Sequence, residues 1–301
     1  MNYEQLYAAI QNYAESDEQS FLQSIPTFVY NCEERIYNAV QIPAIRKNVT
    51  GNFTQGDKYL ALPPDYLASF SMAVIFPDGS QEFLIDKDVN FIRQAYPSPT
   101  DEGTPRYYAQ FQPYTYIIGP TPDENYDVEL HYYYYPVSIV QGVLSGLGTI
   151  SGGSGYVNGT YQKVPLTGGS GSFALADIVV SGGVVSSVSI RDGGSFYIVG
   201  DVLSASTANL GNAGSGFSVP VTNINNPTGT SWLGTNFESV LLYGSLREAV
   251  VYQKGEQDIV NYYEQKYQES LALLRELGDG KDRRSAYRDG QLKLPIQGPV
   301  R

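Results

Sequence analysis

The sequence predicts an α+β protein: a helical bundle drawn from both ends of the chain, a β-rich domain, and an inserted small all-β, Gly-rich module. Three observations carry this. Apolar residues recur at helical spacing near both ends. From about residue 43 to 139, Pro, Gly and Asn punctuate short runs of β-formers. Residues 142–229 hold 19 of the 31 Gly and few charges.

In the first helix Leu6, Ala9, Ile10 and Tyr13 recur at i, i+3, i+4 and i+7. A second helix is expected at 24–40, with Ser24 as cap and Pro26 in the first turn. Phe28, Cys32, Ile36 and Val40 form its apolar stripe, which makes Cys32 a small core residue. Strands are expected at 58–62, 68–76, 82–85, 114–119 and 127–135, with the PDG at 77–79 as a hairpin turn. A short helix is expected at 86–95, capped by Asp86. Alternation in HYYYY puts Tyr132 and Tyr134 on one face, and His131, Tyr133 and Tyr135 on the other. His131 therefore reads as a strand residue, not a catalytic base.

In the Gly-rich segment, short strands at 177–180, 184–190 and 216–221 alternate with glycine turns at 152–155, 168–171, 182–183 and 192–194. Gly and Ser richness alone fits a flexible linker, but the alternation in VVSSVSI argues for a folded module. Beyond it, Thr230 or Ser231 caps a helix in which Phe237, Val240, Leu241 and Gly244 share a face. Lys254 and Gly255 break the pattern. A last helix at about 256–277 carries the seam Tyr263, Tyr267, Leu271, Leu274 and Leu277, a candidate helix or inter-subunit contact, with Gly278 as its stop. The final stretch lacks helical periodicity and reads as an extended basic arm.

Charge sharpens the boundaries. Residues 1–139 hold 18 acidic and 7 basic side chains, and 140–228 hold three and two. Residues 229–280 hold 8 and 4, and 281–301 hold 2 and 6. The expected segments are accordingly 1–141, 142–228, 229–280 and 281–301.

Composition excludes several functions. A net charge of −12 argues against general nucleic-acid binding, which rests on Lys and Arg displacing counterions. One Cys and one His leave too few ligands for structural zinc or haem, and no intrachain disulfide is possible. No cofactor and no metal are expected. GNAGSGF at 211–217 lacks the Lys-Ser/Thr of a phosphate loop and reads as turn glycine. The pairs Glu33–Glu34, Asp101–Glu102 and Asp123–Glu124 read as solvated surface, and nothing marks a catalytic pair. The chain is not expected to be an enzyme. No run of 18 apolar residues is present and the opening residues lack a signal-peptide pattern, so no membrane contact is expected.

Four segments then carry a resemblance: SFLQSIPTFVYNCEERIYNAVQI (20–42), LALPPDYL (60–67), VELHYYYYPVS (128–138), and 230–277 with Trp232, Leu233, Thr235 and Asn236 at its start. In this order they resemble the bacteriophage head-to-tail adaptor family, the tail tubular protein A type of short-tailed phages. The resemblance implies a virion protein at the head–tail interface, assembled in the host cytoplasm. It implies a ring of twelve copies joining the portal protein to the tail nozzle (tail tubular protein B type), with DNA passing through unread and a tail fibre as a further partner. It also implies that the basic arm docks on the portal, which makes Lys281, Arg283, Arg284, Tyr287, Arg288, Lys293, Leu294 and Arg301 the candidate docking residues. Residues 142–226 depart from the shorter members. The alternative is host-glycan binding or fibre attachment through 142–228.

Overall fold

The computed structural model describes residues 1–98 and 100–288. The chain falls into two compact units, and these cut across the charge segments. The first joins Met1–Val40 to Val137–Glu276; the second is built on Gln41–Pro136. The Gly-rich segment thus belongs with the helices, and the β-rich stretch stands as its own unit.

The first unit opens with α1 (Tyr3–Ala14). Asn2 and Gln5 close a capping box at its start, and Tyr3, Leu6 and Ile10 form the buried stripe. Tyr13, expected on that stripe, is 59% exposed. α2 (Gln19–Ala39) starts five residues before the expected cap. Ser24 sits inside the helix and donates to the Ser20 carbonyl. Pro26 is also internal, so the Leu22 carbonyl has no N–H four residues on. The Tyr7 hydroxyl of α1 donates to it instead, at 3.5 Å. Phe28, Cys32, Ile36 and Val40 are all buried.

After the Gly-rich segment come α4 (Trp232–Asn236), α5 (Glu238–Tyr252) and α6 (Gln257–Arg288). Ser231 caps α4 by accepting from the Gly234 N–H. The rings of Trp232 and Phe237 stack at 5.8 Å. α5 packs on α2, where Cys32 Sγ lies 3.6 Å from the Leu241 carbonyl. A Cβ at Gly244 would overlap Cys32 Sγ and press on the Tyr267 ring, so glycine is what lets these helices close. Lys254 takes a left-handed conformation at φ 55° and breaks the chain between α5 and α6. Gly278 does not stop α6, which runs on to Arg288. The expected extended arm is therefore helical over 281–288. Residues 289–301 lie outside the described residues.

The Gly-rich segment is a seven-stranded sheet: β9 (Val143–Leu147), β10 (Ser151–Ser154), β11 (Gly159–Thr167), β12 (Leu175–Ser181), β13 (Val184–Asp192), β14 (Val202–Ala205) and β15 (Ser215–Asn225). The order is β10-β15-β14-β11-β12-β13, with β9 also on β15. The sheet curls until β10 meets β13 and is nearly a barrel. That closure uses Gly152, where a Cβ would stand 2.6 Å from the Val185 carbonyl oxygen. Ile178, Val180, Val185, Leu203, Phe217 and Val219 fill the interior. The segment is also joined to α1, because Phe196 packs its ring 5.1 Å from Tyr3 and 5.5 Å from Tyr7.

The second unit is a pair of four-stranded sheets. One runs β1-β8-β3-β4, from β1 (Arg46–Phe53), β3 (Tyr66–Ile75), β4 (Gln81–Phe83) and β8 (Tyr126–Tyr134). The other runs β2-β7-β6-β5, from β2 (Tyr59–Ala61), β5 (Ile85–Asp86), β6 (Tyr107–Gln112) and β7 (Thr115–Gly119). Strands β1 and β6 are additions to the expected set. The PDG turn joins β3 to β4, with Gly79 at φ 83°. α3 (Val89–Ala95) is shorter than expected, and Asp88, not Asp86, caps it by accepting from the Phe91 N–H at 2.9 Å. Alternation sorts β7 cleanly: Tyr116 and Ile118 join the core with Met72, Val74 and Leu130, while Ile117 joins Ile92 of α3. Tyrosine hydroxyls are paired within this core, Tyr66 with Tyr116 at 2.5 Å.

Candidate interaction surfaces

No group of His, Cys, Asp and Glu able to hold a metal exists among the described residues. His131 sits on β8, 3.1 Å from Ser71 Oγ through Nδ1 and 3.7 Å from Glu129 through Nε2. Cys32 is buried, and burial pushes its thiol well above the ordinary range. The surfaces of interest are those for contact.

The α6 seam divides. Tyr267, Leu271 and Leu274 are buried in the chain's own packing, and Tyr263 lies against Tyr243 at 6.5 Å. Burial also raises the Tyr267 hydroxyl to about 12. The neighbouring face of α6 carries Ile259, Tyr262 and Leu273, which are 44%, 51% and 61% exposed. Their spacing of three and eleven residues keeps them within one helical stripe. Lys266 and Glu269, paired at 3.0 Å, run along the same stripe. The seam stands out in the sequence because its leucines are denser; the second stripe is broken by charges.

Of the candidate arm, Lys281, Arg283, Arg284, Tyr287 and Arg288 lie on the last turns of α6. Lys293, Leu294 and Arg301 fall outside the described residues.

In the Gly-rich segment, Ile198, Val199 and Val202 are each more than half exposed. Their loop is held from within by the Asp201 carboxylate, which accepts from the Ile198 N–H at 3.0 Å and from Ser170 N–H and Oγ at 3.1 and 2.7 Å. Partial burial pushes the Asp201 carboxyl up, but these donors together outweigh it and hold the group below its usual range.

One member of each of the three acidic pairs is bonded within the chain and not simply solvated. Asp123 accepts from the Tyr126 hydroxyl at 2.7 Å, and Asp101 accepts from the Ser98 N–H at 2.9 Å. Glu33 departs furthest, being 3% exposed. Its carboxylate accepts from the Ile139 N–H at 2.9 Å and bonds the Ser138 hydroxyl. No cation pairs with it among the described residues. Burial is the largest influence and pushes the carboxyl up to about 7, with the two hydrogen bonds opposing. The signal is present in the sequence: Glu33 stands four residues after Val29 and three before Ile36, on the buried side of α2.

Residues 1–147 match the profile of the SU10 adaptor protein family. The match spans α1, α2 and the whole β-rich stretch, and ends with β9, where the Gly-rich segment begins. It supports a structural, adaptor-type phage protein, a class generally without enzymatic activity, whose place is in the virion. No curated protein matches the chain. No helix among the described residues is long and apolar enough to cross a membrane.

Proposed function

We propose that this chain is a ring-forming head-to-tail adaptor that joins the portal protein to the tail nozzle and lines a channel for DNA. The match of residues 1–147 to the SU10 adaptor profile carries the reading. In it, α1, α2, α5 and α6 form the adaptor's helical bundle and the ring has twelve copies. A ring is a heterologous assembly, so each subunit needs two different lateral faces. The exposed Ile259, Tyr262 and Leu273 stripe is one such candidate. The cationic run from Lys281 supplies the portal contact, and Lys293, Leu294 and Arg301 belong to the same arm. An acidic body with a net charge of −12 repels phosphate, which suits a conduit through which DNA slides without being held.

The test is negative-stain microscopy of the purified chain mixed with its portal. Rings stacked on portals are expected, and their loss when Lys281, Arg283, Arg284 and Arg288 are changed to Ser. Portals that stay bare at micromolar chain would refute the reading.

A further inference from the structure

The β-rich unit has an open edge. β1 pairs with β8 alone, and the register from Arg46 to Phe53 runs without a bulge. Residues 47–52 are all exposed. Among the described residues, no backbone group in 47–52 has a partner on the side away from β8. Proteins normally blunt so long and regular an edge with bulges, prolines or cover, because it is a template for another strand. β1 has neither bulge nor proline. The neighbouring edge, β2, is blunted: it is three residues long, and the Asp57 carboxylate accepts from the Tyr59 N–H at 2.9 Å.

An apolar recess of about 340 Å³ opens between β1 and β2. Val49, Leu60, Leu62, Val128 and Leu130 line it. On this face of β1, Val49 and Gly51 stand opposite Leu130 and Val128. Gly51 leaves the recess unfilled, since a Cβ there would meet only Val128, at 3.8 Å. The other face carries two carboxylates. There Asn48, Thr50 and Asn52 stand opposite His131, Glu129 and Asp127. The Asn48 amide donates to Glu129, and the Asn52 amide donates to Asp127 at 2.6 Å, which draws both carboxylates toward the edge. Among the described residues no Lys or Arg pairs with either carboxylate. Arg46, at the end of this face, lies over the Phe70 ring at 4.0 Å and donates to the Tyr133 hydroxyl.

These two faces specify what fits. A strand laid on β1 needs apolar side chains over the recess and Lys or Arg at the positions between, within reach of Glu129 and Asp127. A second copy of β1 does not meet this. Edge-to-edge pairing of two copies would offer the recess only Val49 and Gly51, and would gather Glu129 and Asp127 of both copies on one face. We propose that β1 is the docking site for an extended segment of a partner protein that alternates apolar residues with Lys or Arg. The segment adds to the sheet as a further strand. Its apolar residues close the recess, its cations meet Glu129 and Asp127, and its main chain pairs with the outward N–H and C=O groups of β1. This goes beyond the adaptor reading and holds whether or not the chain forms rings.

Hydrogen exchange with mass spectrometry on the full chain tests this. The probe is a synthetic peptide as long as β1 that alternates Leu with Lys. One control alternates Leu with Glu, and the other has the probe's composition rearranged into a Leu block and a Lys block. The probe should slow the outward amides of 47–52 about tenfold, and neither control should slow them. Amides of β3 should be unchanged, which shows that the unit stays folded. In the double variant Asp127→Asn, Glu129→Gln, about fivefold more probe should be needed for the same protection. Equal slowing by either control overturns the proposal, as does no slowing at millimolar probe. Protection of 47–52 in the chain alone, constant or rising with concentration, also overturns it, because the edge is then already taken by the chain or by a second copy.

Discussion

The substitution Glu33→Gln should reshape how the helical unit responds to pH. The carboxyl is buried with no cation beside it among the described residues, and it titrates near 7 in the fold against 4.5 for an unperturbed glutamate. Between those values the folded state binds more protons than the unfolded chain. Stability due to this group is therefore full below about 4.5, falls as pH rises, and levels off above 7. From pH 5 to pH 8 the loss should be about 2–3 kcal/mol. The substituted amide keeps an oxygen for the Ile139 N–H but does not titrate. Its extra nitrogen needs a partner in a buried site, at a cost of about 1 kcal/mol that is independent of pH. The variant should thus be slightly less stable than the parent at pH 5 and more stable at pH 8. Urea unfolding followed by far-ultraviolet circular dichroism across that range measures both. A constant offset between the two proteins at every pH would refute the reasoning, because only a titrating buried Glu33 makes the curves cross.

Other substitutions probe the packing and the surfaces. Gly244→Ala forces a methyl into Cys32 Sγ and should cost about 1–3 kcal/mol in urea unfolding; most of that cost should vanish in a Cys32→Ala background. Leu274→Ala, at a fully buried position, should cost about 2–5 kcal/mol. Leu273→Asp, one residue away and 61% exposed, should leave unfolding unchanged and lower self-association in sedimentation velocity. Asp201→Ala removes the acceptor for three donors around the Ile198 loop, so limited proteolysis should cut there first.

Much of the secondary structure is legible in the sequence, because apolar periodicity reports burial directly. Phe28, Cys32, Ile36 and Val40 show this on α2, and Tyr267, Leu271 and Leu274 on α6. Ends and caps are less legible. Ser24 and Pro26 look like a helix start, yet Tyr7 from another helix takes up the carbonyl that Pro26 leaves free. Gly278 looks like a stop, yet the helix continues through Lys, Arg and Ala, which favour it. β1 is hidden because its exposed run RKNVTGN shows no apolar alternation; β8, far along the chain, recruits it. Glu33 looks solvated because it is charged, although its position on the α2 stripe points inward. Which faces meet other molecules is the least legible part, since exposed apolar residues such as Leu273 declare themselves only once the rest of the chain is packed.

The stacked pair at the start of α4 has an optical consequence. Trp232 is the only tryptophan in a chain with 26 tyrosines. Light at the red edge of aromatic absorption excites it alone, and its emission comes entirely from the helical unit, beside Phe237. The β-rich unit contributes tyrosine signals only. The wild-type chain therefore carries a built-in label, by which melting of one unit can be followed separately from melting of the other without attaching a dye.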